Sequence, residues 1–173
     1  EQKIPATAAG LLRSALAPEA TEPGVVWRSG EASEAPPSNE PGGPGRLAET
    51  VDERGVFSVC MCPGGFVVPA STKAGALVVN GMSLSRRDSP FANSGLVVGV
   101  EVEDALGLGH RGPLAGTLVQ ATLEEAAWRA GGAPLRAPAT RATDFLAGRG
   151  SSTVPKTSYQ PGLLAGDVGE VLD

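Results

Sequence analysis

Six prolines (Pro18, Pro23, Pro36, Pro37, Pro41 and Pro44) fall between residues 18 and 50, and their spacing limits where this chain can build a core. Each removes a backbone donor and fixes φ, and the residues between them are mainly Glu, Ser, Gly and Ala. Only Val25, Val26, Trp27 and Leu47 are strongly apolar there. Such a stretch buries too little surface to offset the entropy of ordering it, so residues 18–50 read as an unstructured insert or linker. A partner-binding segment centred on Trp27 is the other reading. Ahead of it, residues 4–17 can form a short amphipathic helix with Leu11, Leu12, Ala15 and Leu16 on one face, ended by Pro18. The boundary between this first part and the ordered remainder is placed at residues 54 and 55.

From Gly55 the pattern changes. Residues 56–62 (VFSVCMC) read as a buried strand, Pro63-Gly64-Gly65 as a turn, and residues 66–70 as a second strand completing a hairpin. Residues 76–80 and 95–102 read as a third and fourth strand, separated by a polar loop over 82–94. Pro113 introduces a helix over about 113–130, with Leu114, Leu118, Ala121 and Glu125 on one stripe and Val119, Leu123 and Ala126 beside it. Gly131-Gly132 stops it. A shorter helix over 140–147 is anchored by Phe145 and Leu146. Residues 148–173 return to loop, with a helical turn near 166–172. Strands followed by helices give an α+β class: a small antiparallel or mixed sheet, one long and one short helix, and a disordered N-terminal third. With four Phe, two Trp and one Tyr, the core must rest on Val, Leu and Ala.

The net charge of −5 shows no basic face for nucleic acid. No apolar run approaches the roughly 18 residues of a membrane span. Cys60 and Cys62, one residue apart on a strand, point the same way but are too close for an unstrained disulfide, which points to reduced thiols in a cytoplasmic, stromal or matrix compartment, not a secreted protein. A structural zinc needs four ligands, and His110 is the one histidine, so no metal site is expected. Gly107-Leu-Gly-His-Arg-Gly112 matches G-x-G-x-x-G, but Glu103, Asp104 and Ala105 separate it from the preceding strand. No strand ending in an acidic residue follows at the distance a dinucleotide fold requires. It reads as a flexible loop leading into a helix, with His110 exposed to solvent. Asp88 and Asp144 are conceivable bases that nothing singles out, and no catalytic residue is assigned. The loop after the third strand gathers Asn80, Ser83, Ser85, Arg86, Arg87, Asp88, Asn93 and Ser94. Arginines there could grip a carboxylate or phosphate, or the loop could simply be solvated.

The order of the short motifs carries more than any one of them. Cys60-Met-Cys-Pro-Gly-Gly65 is followed by Val79-Asn-Gly-Met-Ser83, Arg86-Arg-Asp88, Ala92-Asn-Ser94 and Gly112-Pro-Leu-Ala-Gly116. Then come Ala137-Pro-Ala139, Asp144-Phe-Leu-Ala-Gly148 and Ser158-Tyr-Gln-Pro-Gly162. From about Gly55 to Gly162 this series resembles the uncharacterised FAD-dependent dehydrogenases, also described as NAD(FAD)-utilising dehydrogenases. The resemblance implies an inserted substrate or cap domain, residues 55–173, between two stretches of an FAD domain, and therefore a piece incomplete at both ends. The glycine-rich FAD motif would lie upstream, and a flavin-contacting segment would follow Asp173; these missing segments would be its partners. It implies FAD as cofactor, NAD(P)H as a reductant, and a small-molecule substrate of unknown identity. Gly64 and Gly65 would let the backbone approach the flavin ring, and Asn80, Ser83, Arg86, Asn93 and Ser94 would line the substrate pocket. A stand-alone, non-catalytic binding or scaffold module derived from that domain is the alternative.

Overall fold

The computed structural model describes residues 48–51 and 54–172. The helix expected over 4–17 and the segment expected to be unstructured from residue 18 lie outside the described residues as far as Leu47. Within the described residues the class is α+β. The elements are β1 (Ala48–Val51), β2 (Arg54–Pro63), β3 (Gly65–Pro69), β4 (Val79–Ser83), β5 (Ala92–Val98), α1 (Val102–Gly107), α2 (Ala115–Gly131), β6 (Ala137–Ala139), α3 (Ala142–Leu146), β7 (Leu163–Ala165) and α4 (Gly169–Leu172). They fall into two compact units, one of residues 48–51, 54–61 and 94–99, the other of residues 62–93 and 100–172.

The first unit contains the three-stranded sheet β1-β2-β5. β1 pairs antiparallel with β2, from Ala48 opposite Phe57 to Val51 opposite Arg54. A strand therefore forms where the composition predicts disorder: residues 48–51 pair with β2, and pairing is invisible to a local reading. On the other edge of β2, the Gly99 N–H donates to the Gly55 carbonyl at 3.0 Å and Ser94 Oγ donates to the Val59 carbonyl at 3.2 Å. Val56 is fully buried and Ser58 nearly so, while Phe57 and Val59 are exposed, the alternation of a sheet with one covered face.

The second unit holds two two-stranded sheets and the helices. β3 pairs antiparallel with β4, Gly65 opposite Ser83 and Pro69 opposite Val79. The hairpin expected over 56–70 does not form: β2 pairs with β1 and β5, and β3 with β4. Only Gly64 separates β2 from β3, and the commonest tight hairpins need two linking residues. The third strand starts at Val79 and not Ala76. Ala76 and Leu77 are buried outside any strand, and the Leu77 N–H donates to the Glu124 carbonyl on α2 at 2.9 Å. The fourth strand ends at Val98, and Val102 already belongs to α1. Glu101 stands at the N-cap in extended geometry, its N–H donating to Asp104 Oδ2 at 2.8 Å. This box is what turns the expected loop after Val102 into a helix.

α2 ends as expected, at Gly132 in the left-handed region (φ 68°). Its buried stripe is displaced, however: Val119 is buried and Ala127 reaches the core, while Leu114 and Leu118 are exposed. α2 packs against α1, β6, β7 and α4, and these contacts select the face. β6 and β7, both missed as loop, form a parallel pair with Ala137 opposite Leu163 and Ala139 opposite Ala165. α3 lies inside the expected 140–147, but Leu146 is exposed and does not anchor it. The core of this unit is Leu77, Ala137 and Tyr159, flanked by Val67, Ala127 and Leu163. It is aliphatic apart from the one tyrosine, whose hydroxyl donates to the Leu135 carbonyl at 2.5 Å.

Candidate functional site

An open cleft of about 460 Å³ lies within the second unit. That is within the range of small-ligand sites, ~300–1,000 Å³. Its apolar wall includes Val67, Phe91, Ala139, Val154 and Leu163, and its polar lining is Thr140, Arg141, Thr143, Lys156, Thr157 and Ser158. No acidic residue lines it.

The backbone that carries these polar groups is fixed from several directions. Thr140 Oγ1 donates to the Gly166 carbonyl at 2.7 Å and accepts the Val168 N–H at 2.8 Å. The Arg141 N–H donates to Ser151 Oγ at 2.9 Å, and buried Ser151 in turn donates to Asp144 Oδ2 at 2.7 Å. Arg149 closes an ion pair on the other oxygen of Asp144. On the far stretch of chain, buried Ser158 Oγ accepts the Val67 N–H at 3.0 Å, tying residue 158 to β3. Asp144 is thus committed to structure and is not a free base.

A smaller cleft of about 270 Å³ is lined by Val100, Glu101, Val102, Leu106, His110 and Arg111, among others. His110 is half-buried, not exposed as expected. Its Nε2 lies 3.1 Å from Thr122 Oγ1, and its N–H donates to the Ala105 carbonyl at 2.8 Å. The Thr122 hydroxyl also donates to the Leu118 carbonyl at 2.9 Å, which ties the imidazole to α2 through Thr122.

The residues expected to line a pocket are placed elsewhere. Gly64 (φ 65°) is buried, and a Cβ there would come within 1.9 Å of the Arg87 carbonyl oxygen. A Cβ on Gly65 would meet the Met82 carbonyl at 2.4 Å and Asn93 Nδ2 at 2.6 Å. Both glycines are thus required by the approach of the chain's own backbone. Asn93 Nδ2 donates to the Phe66 carbonyl at 3.2 Å, and its Oδ1 stands 2.0 Å from where a Cβ of Gly81 would be. Asn93 therefore belongs to β5 and locks the β3–β4 pair. Asn80 and Ser83 are exposed on β4, and Arg86, also exposed, pairs with Asp88 at 3.2 Å. Ser94 belongs to the first unit. The structure brings Gly65, Ser83 and Asn93 together. None of the seven lines either cleft. Arg141, Lys156 and Thr157 were missed because they are isolated polar residues in irregular segments, with no spacing that marks them.

Cys62 is a free thiol. Among the described residues no group of three or more His, Cys, Asp and Glu could hold a metal, and no helix is long and apolar enough to cross a membrane.

A dinucleotide would need a strand that runs through a glycine turn into a helix. Gly107–Gly112 instead joins α1 to α2, Gly109 and Gly112 adopt φ of 80° and 84°, and nothing lies within 4 Å of a Cβ at Gly107, Gly109 or Gly112. Its glycines serve a turn, with acidic Glu103 and Asp104 in the helix before it. This glycine string does not fit the pyrophosphate of FAD.

An uncharacterised protein of Clostridium beijerinckii (strain ATCC 51743 / NCIMB 8052) is 42% identical over 122 residues, which cover 69% of this chain and 22% of the relative. The chain thus spans under a quarter of that protein's length. The family model described as FAD-dependent protein, C-terminal domain-like, matches residues 44–173, so the chain belongs to that family of FAD-dependent proteins.

Proposed function

We propose that this chain is the substrate-side portion of an FAD-dependent oxidoreductase of the NAD(FAD)-dependent dehydrogenase kind. In this reading other stretches of polypeptide hold the nucleotide end of the cofactor, and this portion covers the flavin. Its 460 Å³ cleft receives the molecule that exchanges electrons with the flavin. NADH or NADPH is the reductant. The observation that carries the division of labour is the Gly107–Gly112 turn: it links two helices, so the family's cofactor is not cradled by this glycine string. The cofactor supplies the redox chemistry when bound; the protein supplies position and electrostatics.

Flavin titration tests this. The 173-residue chain should leave FAD fluorescence essentially unquenched and elute colourless. The longer polypeptide containing this region should purify yellow and bleach with NADH or NADPH under anaerobic conditions. Stoichiometric, tight capture of FAD by the 173 residues alone would defeat the proposal, as would a longer protein that carries flavin but is never reduced by either nucleotide.

A further inference from the structure

The cleft has a sign. The whole chain carries 19 acidic residues against 14 basic, yet the cleft is lined by two cations, Arg141 and Lys156, and no carboxylate. Neither cation has an ion-pair partner among the described residues. The nearest acidic residue in sequence, Asp144, is neutralised by Arg149 and hydrogen-bonded by Ser151. Two cations without a carboxylate partner beside one concavity form a local positive potential there.

Shape adds a second requirement. Phe91, Val154, Pro155 and Leu163 give the cleft an apolar surface beside those charges. A bare inorganic anion would leave that surface wet, whereas an amphiphile would cover it and gain about 25 cal/mol for each Å² removed from water. The positions are also preorganised. The Arg141 N–H is held by Ser151, Thr140 just before it is held twice, and Ser158 is held to β3 two residues after Lys156. A guanidinium offers two parallel N–H donors to a carboxylate, an ammonium offers a point charge, and Thr143 and Thr157 add hydroxyls at the same cleft.

We infer that this cleft binds a small monocarboxylate with an apolar body, its carboxylate on Arg141 and Lys156 and its body against Phe91, Val154 and Leu163. That such a molecule is the oxidoreductase's substrate rests on the function proposed above; the binding itself does not.

Benzoate is a suitable probe, titrated into the full 173-residue chain and followed by NMR shifts of residues 139–143 and 154–158. Benzamide keeps the body without the charge, and acetate keeps the charge without the body. Benzoate should saturate, with both comparators about tenfold weaker or more. Arg141→Gln and Lys156→Gln should each weaken benzoate about tenfold and leave benzamide unchanged. Both residues are exposed, so the variants should keep the parent melting profile. Ala142→Leu, at an exposed lining position, should block benzoate and spare acetate. Benzoate binding no tighter than acetate or inorganic phosphate, or insensitive to both charge variants, would overturn the inference, as would ADP displacing benzoate as a far tighter ligand. A failure here leaves the flavin titration standing, and a failed flavin titration leaves this site standing.

Discussion

Tyr159 shows how much one residue can decide. It is 4% exposed, the aromatic member of a core otherwise made of small aliphatics, and its hydroxyl donates to the Leu135 carbonyl. Leu135 itself sits at φ 58°, a conformation that costs a non-glycine residue about 1 kcal/mol or more and that this bond helps to hold. Burial holds the phenol above its ordinary pKa, because the phenolate would lose hydration. The sign of the consequence follows. Below the unfolded value of about 10 both states keep the proton, and the stabilisation is complete. As pH rises past that value the unfolded chain loses its proton first, so stability falls with pH until the folded phenol also titrates. Tyr159→Phe should therefore cost about 1 kcal/mol at neutral pH, and that difference should shrink above about pH 10 in urea-unfolding curves. A pH-independent difference would show that the phenol is not tied to folding. The sequence shows Tyr159 only as part of a Ser-Tyr-Gln-Pro-Gly string in a loop. Its burial depends on β6, β7 and α2 converging on it, which no local pattern encodes.

Elements were legible where they carry their own signals and illegible where a partner makes them. α2 has a glycine stop that places its end at Gly131, within a residue of the expectation. β6 and β7 are three residues each and exist only because they pair with one another, so a reading of periodicity passes over them. The stripe chosen for α2 was also wrong in detail, since Leu114 and Leu118 satisfy helical spacing yet face away from the core. The junction between α2 and β6 supplies a reversal of an ordinary rule. Glycine to alanine inside a helix normally stabilises by up to about 1 kcal/mol. Gly116→Ala should do so, since Gly116 is exposed and a Cβ there meets nothing within 4 Å. Gly131→Ala should do the opposite. Its Cβ would stand 1.9 Å from the Arg136 carbonyl oxygen, which leads directly into β6. Backbone cannot yield as a flexible side chain can, so separating α2 from β6 should cost roughly 2–4 kcal/mol. Thermal unfolding of the two variants beside the parent measures this, and equal shifts in the same direction would refute the account.

At the scale of the whole molecule the core is small for the apolar surface present. Seven hydrophobic residues are buried among the described ones, three of them alanine, while sixteen large apolar side chains are exposed. Single exposed leucines are ordinary, but contiguous ones are not. Val100, Val102, Leu106, Leu108, Leu114 and Leu118 all come from one stretch, spanning α1 and the start of α2, and range from 41% to 68% exposed. Three of them, Val100, Val102 and Leu106, also line the smaller cleft beside His110. In the function proposed above, the remaining polypeptide covers such a face. Burying even 400 Å² of apolar surface against it would contribute about 10 kcal/mol before the cost of ordering the contact, enough to dominate the stability of a domain this size. Amide hydrogen exchange should therefore be fast over residues 100–118 in the 173-residue chain and at least about tenfold slower in the longer flavoprotein proposed above. The amides around Leu77, Ala137 and Tyr159, already enclosed, should change far less. Equal exchange over residues 100–118 in the two proteins would mean that this face meets water in both, and that the apolar surface is not reserved for the flavin-bearing part.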